Sequence, residues 1–134
     1  MDAGVIVSSL PEPERHAFWP DVERILKPAL TDDQEVFDPA IDTAWVAYSG
    51  EVIFGAATTR LRTDGIAELR LAGGARHREW VGPLDEAVTA WARLCGATRL
   101  TMRGRKGWAR YARAFGWAAT DPDDEGKLVF EKVL

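Results

Sequence analysis

The sequence predicts an α/β domain with a mixed, mostly antiparallel sheet flanked by helices, in the order β-α-α-β-β-β-α-β-α-β-β. Three observations carry this prediction. Residues 43–74 hold three strand-like runs, TAWVAYSG, EVIFGAATTRLRT and GIAELRLAGG, joined by Ser49-Gly50 and Thr63-Asp64-Gly65, both turn signals. Leu84, Val88, Trp91 and Cys95 follow at helical spacing as a buried stripe. ATRLTMR, residues 97–103, then alternates as a strand, with Leu100 and Met102 on one face and Arg99, Thr101 and Arg103 on the other.

The remaining elements fill in around these. GVIVSSL, residues 4–10, reads as an edge strand. Trp19-Pro20-Asp21 marks a helix start, since proline suits the first helical position, and Val22, Ile25, Leu26 and Ala29 share one face. Thr31-Asp32-Asp33-Gln34 has the form of a capping box for a second short helix, which Pro39 interrupts. Pro83 is placed to open the long helix, with residues 76–82 as a turn or a short separate helix, and Gly96 to end it. Residues 105–115 read as a helix with Trp108, Ala112 and Phe115 inward. WAATD and KLVFEKVL, on either side of an acidic turn, read as a closing hairpin.

The 134 residues fit one domain, 1–134, and a chain of this length buries roughly 68% of its unfolded surface. Six tryptophans suit a well-filled core, with room for one ring at a cleft or a homodimer interface. Cys95 is the single cysteine, which excludes an intrachain disulfide. MDAGVIVSSL lacks the basic start and apolar length of a secretory signal, and no run approaches a membrane span, so a cytoplasmic protein is expected. The net charge of −4 conceals an asymmetry: residues 60–116 carry twelve basic and five acidic side chains, residues 1–43 three and ten. A basic middle is a candidate site for an anionic ligand; solvated helix faces are the competing account.

Two stretches resemble a known family. RLAGGA, Arg70–Ala75, fits the R/Q-x-x-G-x-G/A pattern of the GNAT superfamily, the acetyl-CoA-dependent N-acyltransferases. YARAFGW, Tyr111–Trp117, is similar to the family's helix end and Gly-aromatic step into the last hairpin. The segment LDEAVTAWARLCGATRLTMRGRKGWARYARAFGW resembles, more closely, GNAT-like proteins encoded by phages and prophages. The resemblance implies a gap between two parallel strands, here within 65–72 and 97–103, that takes the pantetheine arm of acetyl-CoA. It also implies a pyrophosphate seat at the start of the next helix, where unpaired N–H groups and the dipole favour anions. The cofactor-binding residues it implies are Leu71, Gly73, Gly74, Ala75, Arg76 and Arg78. No metal is implied; two histidines and one cysteine lack ligand spacing.

Glu68 and Tyr111 are the catalytic candidates that the resemblance implies, as the base that deprotonates an amine and as the acid that protonates the leaving thiolate. Read from the residues alone, Glu68 is a strand carboxylate that pairs with Arg70 or Arg99, and Tyr111 flanks an apolar stripe. The family's acid stands four residues before the glycine, a position held here by Ala112; one residue turns a helical side chain by about 100°. Three functions follow: an N-acyltransferase acting on an acyl-CoA and an unspecified amine; a non-catalytic GNAT-fold assembly component of a phage or prophage; and nucleic-acid binding through Arg99, Arg103, Arg105, Lys106, Arg110 and Arg113, disfavoured by the acidic whole. In the second case the protein would be virion-associated.

Overall fold

The computed structural model describes residues 5–29, 37–104, 109–120 and 128–134. Seven strands form one sheet: β1 (Ile6–Ser9), β2 (Asp42–Ser49), β3 (Val52–Leu61), β4 (Ile66–Gly74), β5 (Arg99–Gly104), β6 (Ala118–Ala119) and β7 (Leu128–Val133), in spatial order β1-β2-β3-β4-β5-β7-β6. Every neighbouring pair is antiparallel except β4 and β5, which run parallel. A parallel pair needs a crossover, and α2 (His77–Leu94) supplies it. The expected meander is β2-β3-β4, with its turns where Ser49-Gly50 and Asp64-Gly65 put them. The capping-box segment at Thr31 and the acidic turn before the last strand lie outside the described residues.

Each face of the sheet carries its own core. On one face α1 (Glu12–Leu26) lays Val22 and Leu26 over Ala44, Val46, Ala56 and Leu71. On the other, α2 packs Trp80, Val81, Leu84, Val88 and Ala92 against Trp45, Ala57, Ala67 and Leu100, and Ala112 from α3 (Ala109–Ala114) joins them. Small residues in β3, Ala56, Ala57, Thr58 and Thr59, allow helices to approach from both sides. Thr59 also satisfies a core tryptophan: Trp45 Nε1 donates to its hydroxyl at 2.9 Å. A second polar tie closes the C-terminal end, where Trp117 Nε1 and Lys132 Nζ donate to the two oxygens of Asp85 at 2.6 and 2.7 Å.

Both long helices begin earlier than the sequence reading expects. α1 starts at Glu12 rather than Pro20; Pro11 and Pro13 occupy its first turn, and the first helical bond runs from Arg15 N to Pro11 O at 2.9 Å. Pro20 sits inside the helix on its exposed side. Likewise α2 starts at His77, not at Pro83, which also lies within the helix and faces solvent. The apolar stripe extends one turn N-terminal of Leu84, through Trp80 and Val81, and their burial requires helix there. At its other end the stripe stops before Cys95, which is exposed. Gly96 ends the helix as expected, with Ala97 N donating to Ala92 O at 3.0 Å. Phe115, expected inward, is 37% exposed and lies against Gly82.

The junction between β4 and α2 admits only glycine at its last strand position. Gly74 has φ of +128°, and a Cβ there would press into the Phe54 carbonyl oxygen and lie 2.7 Å from the Gly55 Cα. Gly74→Ala should therefore destabilise the protein by about 2–4 kcal/mol, combining backbone strain with overpacking. Urea denaturation monitored by tryptophan fluorescence measures this, and a loss under 0.5 kcal/mol (roughly the scale of an innocuous surface change) would contradict it.

Candidate functional site

The two parallel strands part halfway along. The β4–β5 ladder pairs Ile66 with Arg99 through Leu69 with Met102 and then ends, whereas β4 continues to Gly74 and β5 to Gly104. The cause lies on the other side of β4. Its register with β3 shifts between Thr59–Leu69 and Thr58–Leu71, so that Arg70 is an extra residue, a β-bulge. A bulge bends its strand and increases its twist, which turns β4 away from β5 at the residue where pairing stops. The side chains record the same event: Leu69 packs into the core under α2 and Leu71, two residues on, into the core under α1. A regular strand would place both on one face.

Beyond the bulge, β4 leads directly into α2. Gly73 and Gly74 remain paired with Ala56 and Gly55 of β3, and Ala75 N donates to Phe54 O at 2.8 Å. Arg76 adopts a left-handed conformation, φ 58° and ψ 39°, and acts as the N-cap. From the other end of the junction, Trp80 Nε1 donates to Ala75 O at 2.7 Å, so a buried ring one turn into the helix fixes the loop. Gly55 makes room for that ring; a Cβ there would lie 2.7 Å from it.

A surface hollow of about 420 Å³ lies at this helix start, lined by Arg76, His77, Arg78 and Glu79. The first turn of a helix carries N–H groups with no acceptor one turn back, at the positive end of the dipole. Arg76 pairs with Glu79, Nη2 to Oε1 at 2.7 Å, and its guanidinium lies 4.5 Å over the Phe54 ring. This hydrogen-bonded pairing, with a further Coulombic contribution from Arg76, holds the Glu79 carboxyl below its ordinary range against a smaller opposing effect of desolvation. Arg78 is exposed on the same turn. The structure thus brings Gly73, Gly74, Ala75, Arg76 and Arg78 together at one junction, with Leu71 at the start of the diverging strand end.

Glu68 stands on the paired part of β4, opposite Thr101 of β5 and one residue before the ladder ends. Its partner is neither Arg70 nor Arg99: Arg62 Nη1 approaches it at 3.4 Å, while Arg99 pairs with Glu131 at 3.3 Å. Arg70 reaches further. Its Nη1 donates to Asp42 Oδ2 at 2.9 Å, and Arg60 holds the same carboxylate through Nε at 2.7 Å and Nη2 at 3.1 Å. The hydrogen bond to Asp42 raises the Arg60 pKa further, more strongly than burial lowers it. Asp38 N adds a fourth hydrogen bond to Asp42 at 2.8 Å. The Asp42 side chain is fully buried. Nearby on β3, the buried Thr58 hydroxyl has no hydrogen-bond partner. Tyr111 belongs to α3, but its side chain lies outside the described residues; Ala112 is buried in the core.

Sequence reading did not anticipate Asp42, Arg60, Gly55 or Trp80. The first two meet Arg70 across three strands, which no local pattern records. Trp80 had a signal in its spacing of four from Leu84, masked by the intervening proline.

The chain has a GNAT-like fold, a seven-stranded mixed sheet with helices on both faces. No family model and no curated protein sequence matches it. Solved structures match over nearly its whole length. The IAA acetyltransferase from Bacillus cereus superposes with a TM-score of 0.74 at 13% identity, covering 98% of this chain and 100% of that one. The PaiA N-acetyltransferase from Thermoplasma acidophilum, solved with coenzyme A, gives 0.69 at 12% identity, covering 98% and 99%. A GNAT family acetyltransferase from Elizabethkingia anophelis with acetyl-CoA bound gives 0.69 at 13%, again covering 98% and 99%. Among the described residues, no helix is long and apolar enough to cross a membrane.

The Arg76–Glu79 pair makes the electrostatics of the helix start measurable. Glu79 should titrate below a free glutamate in carboxyl ¹³C NMR, and Arg76→Ala should move its midpoint upward. A depressed folded-state pKa contributes stability above the unfolded value that is lost as pH falls through the folded one, so the variant should narrow its gap from wild type below pH 4 (about the reference glutamate range). An unchanged Glu79 midpoint would contradict the pairing.

Proposed function

We propose that the chain is an acyl-CoA-dependent N-acyltransferase. The observation that carries this reading is the end of the β4–β5 ladder at Leu69–Met102, set by the Arg70 bulge, with the glycine-rich strand end running straight into α2. The diverging edge of β4 suits an amide-bearing arm laid alongside it, and the helix start suits a pyrophosphate. Solved structures of the same fold hold coenzyme A or acetyl-CoA. Leu71, Gly73, Gly74 and Ala75 would flank the ligand, with Arg76 and Arg78 at its phosphates. Acetyl-CoA supplies an activated acyl group as a thioester.

The chain's residues then divide the remaining work. Glu68, half-buried at the foot of the gap, takes the proton of the attacking amine, and Arg62 orients it. Tyr111 is the candidate donor of a proton to the departing sulfur. Direct attack needs proximity and one base rather than a covalent intermediate, so a short catalytic inventory suffices.

Calorimetry with acetyl-CoA tests the cofactor, and an amine panel assayed for thiol release tests the reaction. Glu68→Gln should lower kcat by about 10²-fold and remove the acidic limb of the pH profile, while leaving the acetyl-CoA Kd within twofold. Absence of binding at millimolar acetyl-CoA would overturn the proposal.

One observation favours a second reading, a non-catalytic GNAT-fold component of a phage or prophage: the position of the family's thiolate acid is Ala112, and it is buried. Gene neighbours encoding capsid, portal or tail proteins, together with acetyl-CoA binding but no transfer to any amine, would select it over catalysis.

A further inference from the structure

We infer that Glu79 is a specificity-determining residue at the candidate pyrophosphate seat: its carboxylate fills the Arg76 guanidinium fork, so that a ligand's phosphate has to displace it. This rests on the acyl-CoA reading above for the identity of the ligand, and one arm of the test is independent of that reading.

The Arg76–Glu79 pair has the form of an arginine–phosphate contact in which the chain itself supplies the anion. Arg76 Nε donates to Glu79 Oε2, and Arg76 Nη2 donates to Glu79 Oε1 at 2.7 Å. Two such bonds from one guanidinium edge are the geometry in which arginine takes a carboxylate or a phosphate. Both partners are held from behind. Arg76 is the left-handed N-cap of α2, and its guanidinium lies 4.5 Å over the Phe54 ring. Glu79 stands in the first turn, where its N donates to Arg76 O at 3.0 Å and its negative charge suits the helix dipole. Arg76, His77, Arg78 and Glu79 line the same hollow. The carboxylate therefore stands beside the space a phosphate would take, not on the far side of the helix. Arg76 holds that carboxyl below its ordinary range, so it is ionised at neutral pH. Both side chains are about half exposed, and solvent weakens a pair of this kind enough for an incoming anion to open it.

A selection by charge follows. A phosphate reaches the Arg76 fork only by turning Glu79 out to solvent, and the released carboxylate stays close as a like charge. Its repulsion grows with the charge on the ligand. The internal pyrophosphate of an acyl-CoA carries one charge on each phosphorus. A terminal phosphate, as in inorganic pyrophosphate, ionises further, with a second pKa of about 6 for a simple phosphate monoester. An acyl-CoA also has an arm to lay along the end of β4 beyond Leu69, which a simple polyphosphate lacks. Glu79 thus weakens all phosphates at this helix start and weakens simple polyphosphates most.

The experiment titrates the full chain, Glu79→Gln, Arg76→Gln and the double variant with inorganic pyrophosphate and, separately, with acetyl-CoA, in magnesium-free buffer. Backbone amide shifts of residues 76–79 report binding at the helix start up to millimolar Kd, and the same spectra show that each variant is folded. Glu79→Gln should tighten inorganic pyrophosphate by about tenfold and acetyl-CoA by about threefold, the order expected for removing one partly screened charge beside an anion. The loss caused by Arg76→Gln should be about threefold larger in the Glu79→Gln background than in the wild type, because only there is the fork open. A pyrophosphate affinity of Glu79→Gln no tighter than twofold over wild type, absence of binding included, overturns the inference. Equal losses from Arg76→Gln in the two backgrounds overturn the displacement, and equal gains for the two ligands overturn the selection. If neither the wild type nor Glu79→Gln binds acetyl-CoA, the acyltransferase reading falls, and the pyrophosphate titrations alone decide whether Glu79 occupies the fork.

Discussion

β4 has to satisfy two neighbours whose geometries conflict, and the molecule is arranged around that conflict. It pairs antiparallel with β3 from Leu61–Ala67 to Gly55–Gly74, and parallel with β5 only from Ile66–Arg99 to Leu69–Met102. The extra residue Arg70 lets the first ladder continue while ending the second. From that point Leu71 turns into the α1 core instead of the α2 core, and the end of β4 is free of β5. A sheet without the bulge would be continuous across β4 and β5.

The helix that follows illustrates how magnitudes decide local structure. A proline inside a helix costs about 3 kcal/mol, which favours a start at Pro83. A start at His77 buries Trp80 and Val81 as well, worth roughly 1.5–3 kcal/mol each, and adds the bond from Trp80 Nε1 to Ala75 O. Burial wins by a small margin, and the outcome places a helix N-terminus directly after the glycines. The same competition sets the start of α1, where Pro20 is accommodated on the exposed side.

Strands, hairpins and helix ends were legible because each has a local signature: alternation in 97–103, Asp64-Gly65 between two runs, Gly96 after an apolar stripe. The topology was legible through the family pattern in Arg70–Ala75 and Tyr111–Trp117. What was not legible is non-local. Arg70 looks like an ordinary alternating strand residue in LRL; only the register against β3 shows it to be extra. Its partner Asp42 lies 28 positions away, and nothing in the spacing links the two. Glu68 lies on the third strand of the meander as its sequence suggests, but pairs with Arg62 rather than with Arg70 or Arg99, because Arg62 approaches it from the adjoining strand end rather than along its own strand.

The basic middle of the chain gains a different meaning from its structure. Among the described residues of 60–116, Arg60, Arg62, Arg70, Arg76 and Arg99 are engaged with carboxylates. These five charges are paired within the fold, between strands and at a helix start. A polyanion such as a nucleic acid is held by many phosphate contacts at once and releases counterions in proportion; arginines already paired contribute little to that. A compact anion needs less. At the start of α2 the Arg76 charge is balanced by Glu79, so attraction there comes from the exposed Arg78 and the helix N-terminus. Those act over about one turn of helix, within a protein of net charge −4 that steers anions poorly from afar. What the bulge, Gly74 and Trp80 together fix at this junction is the course of the backbone.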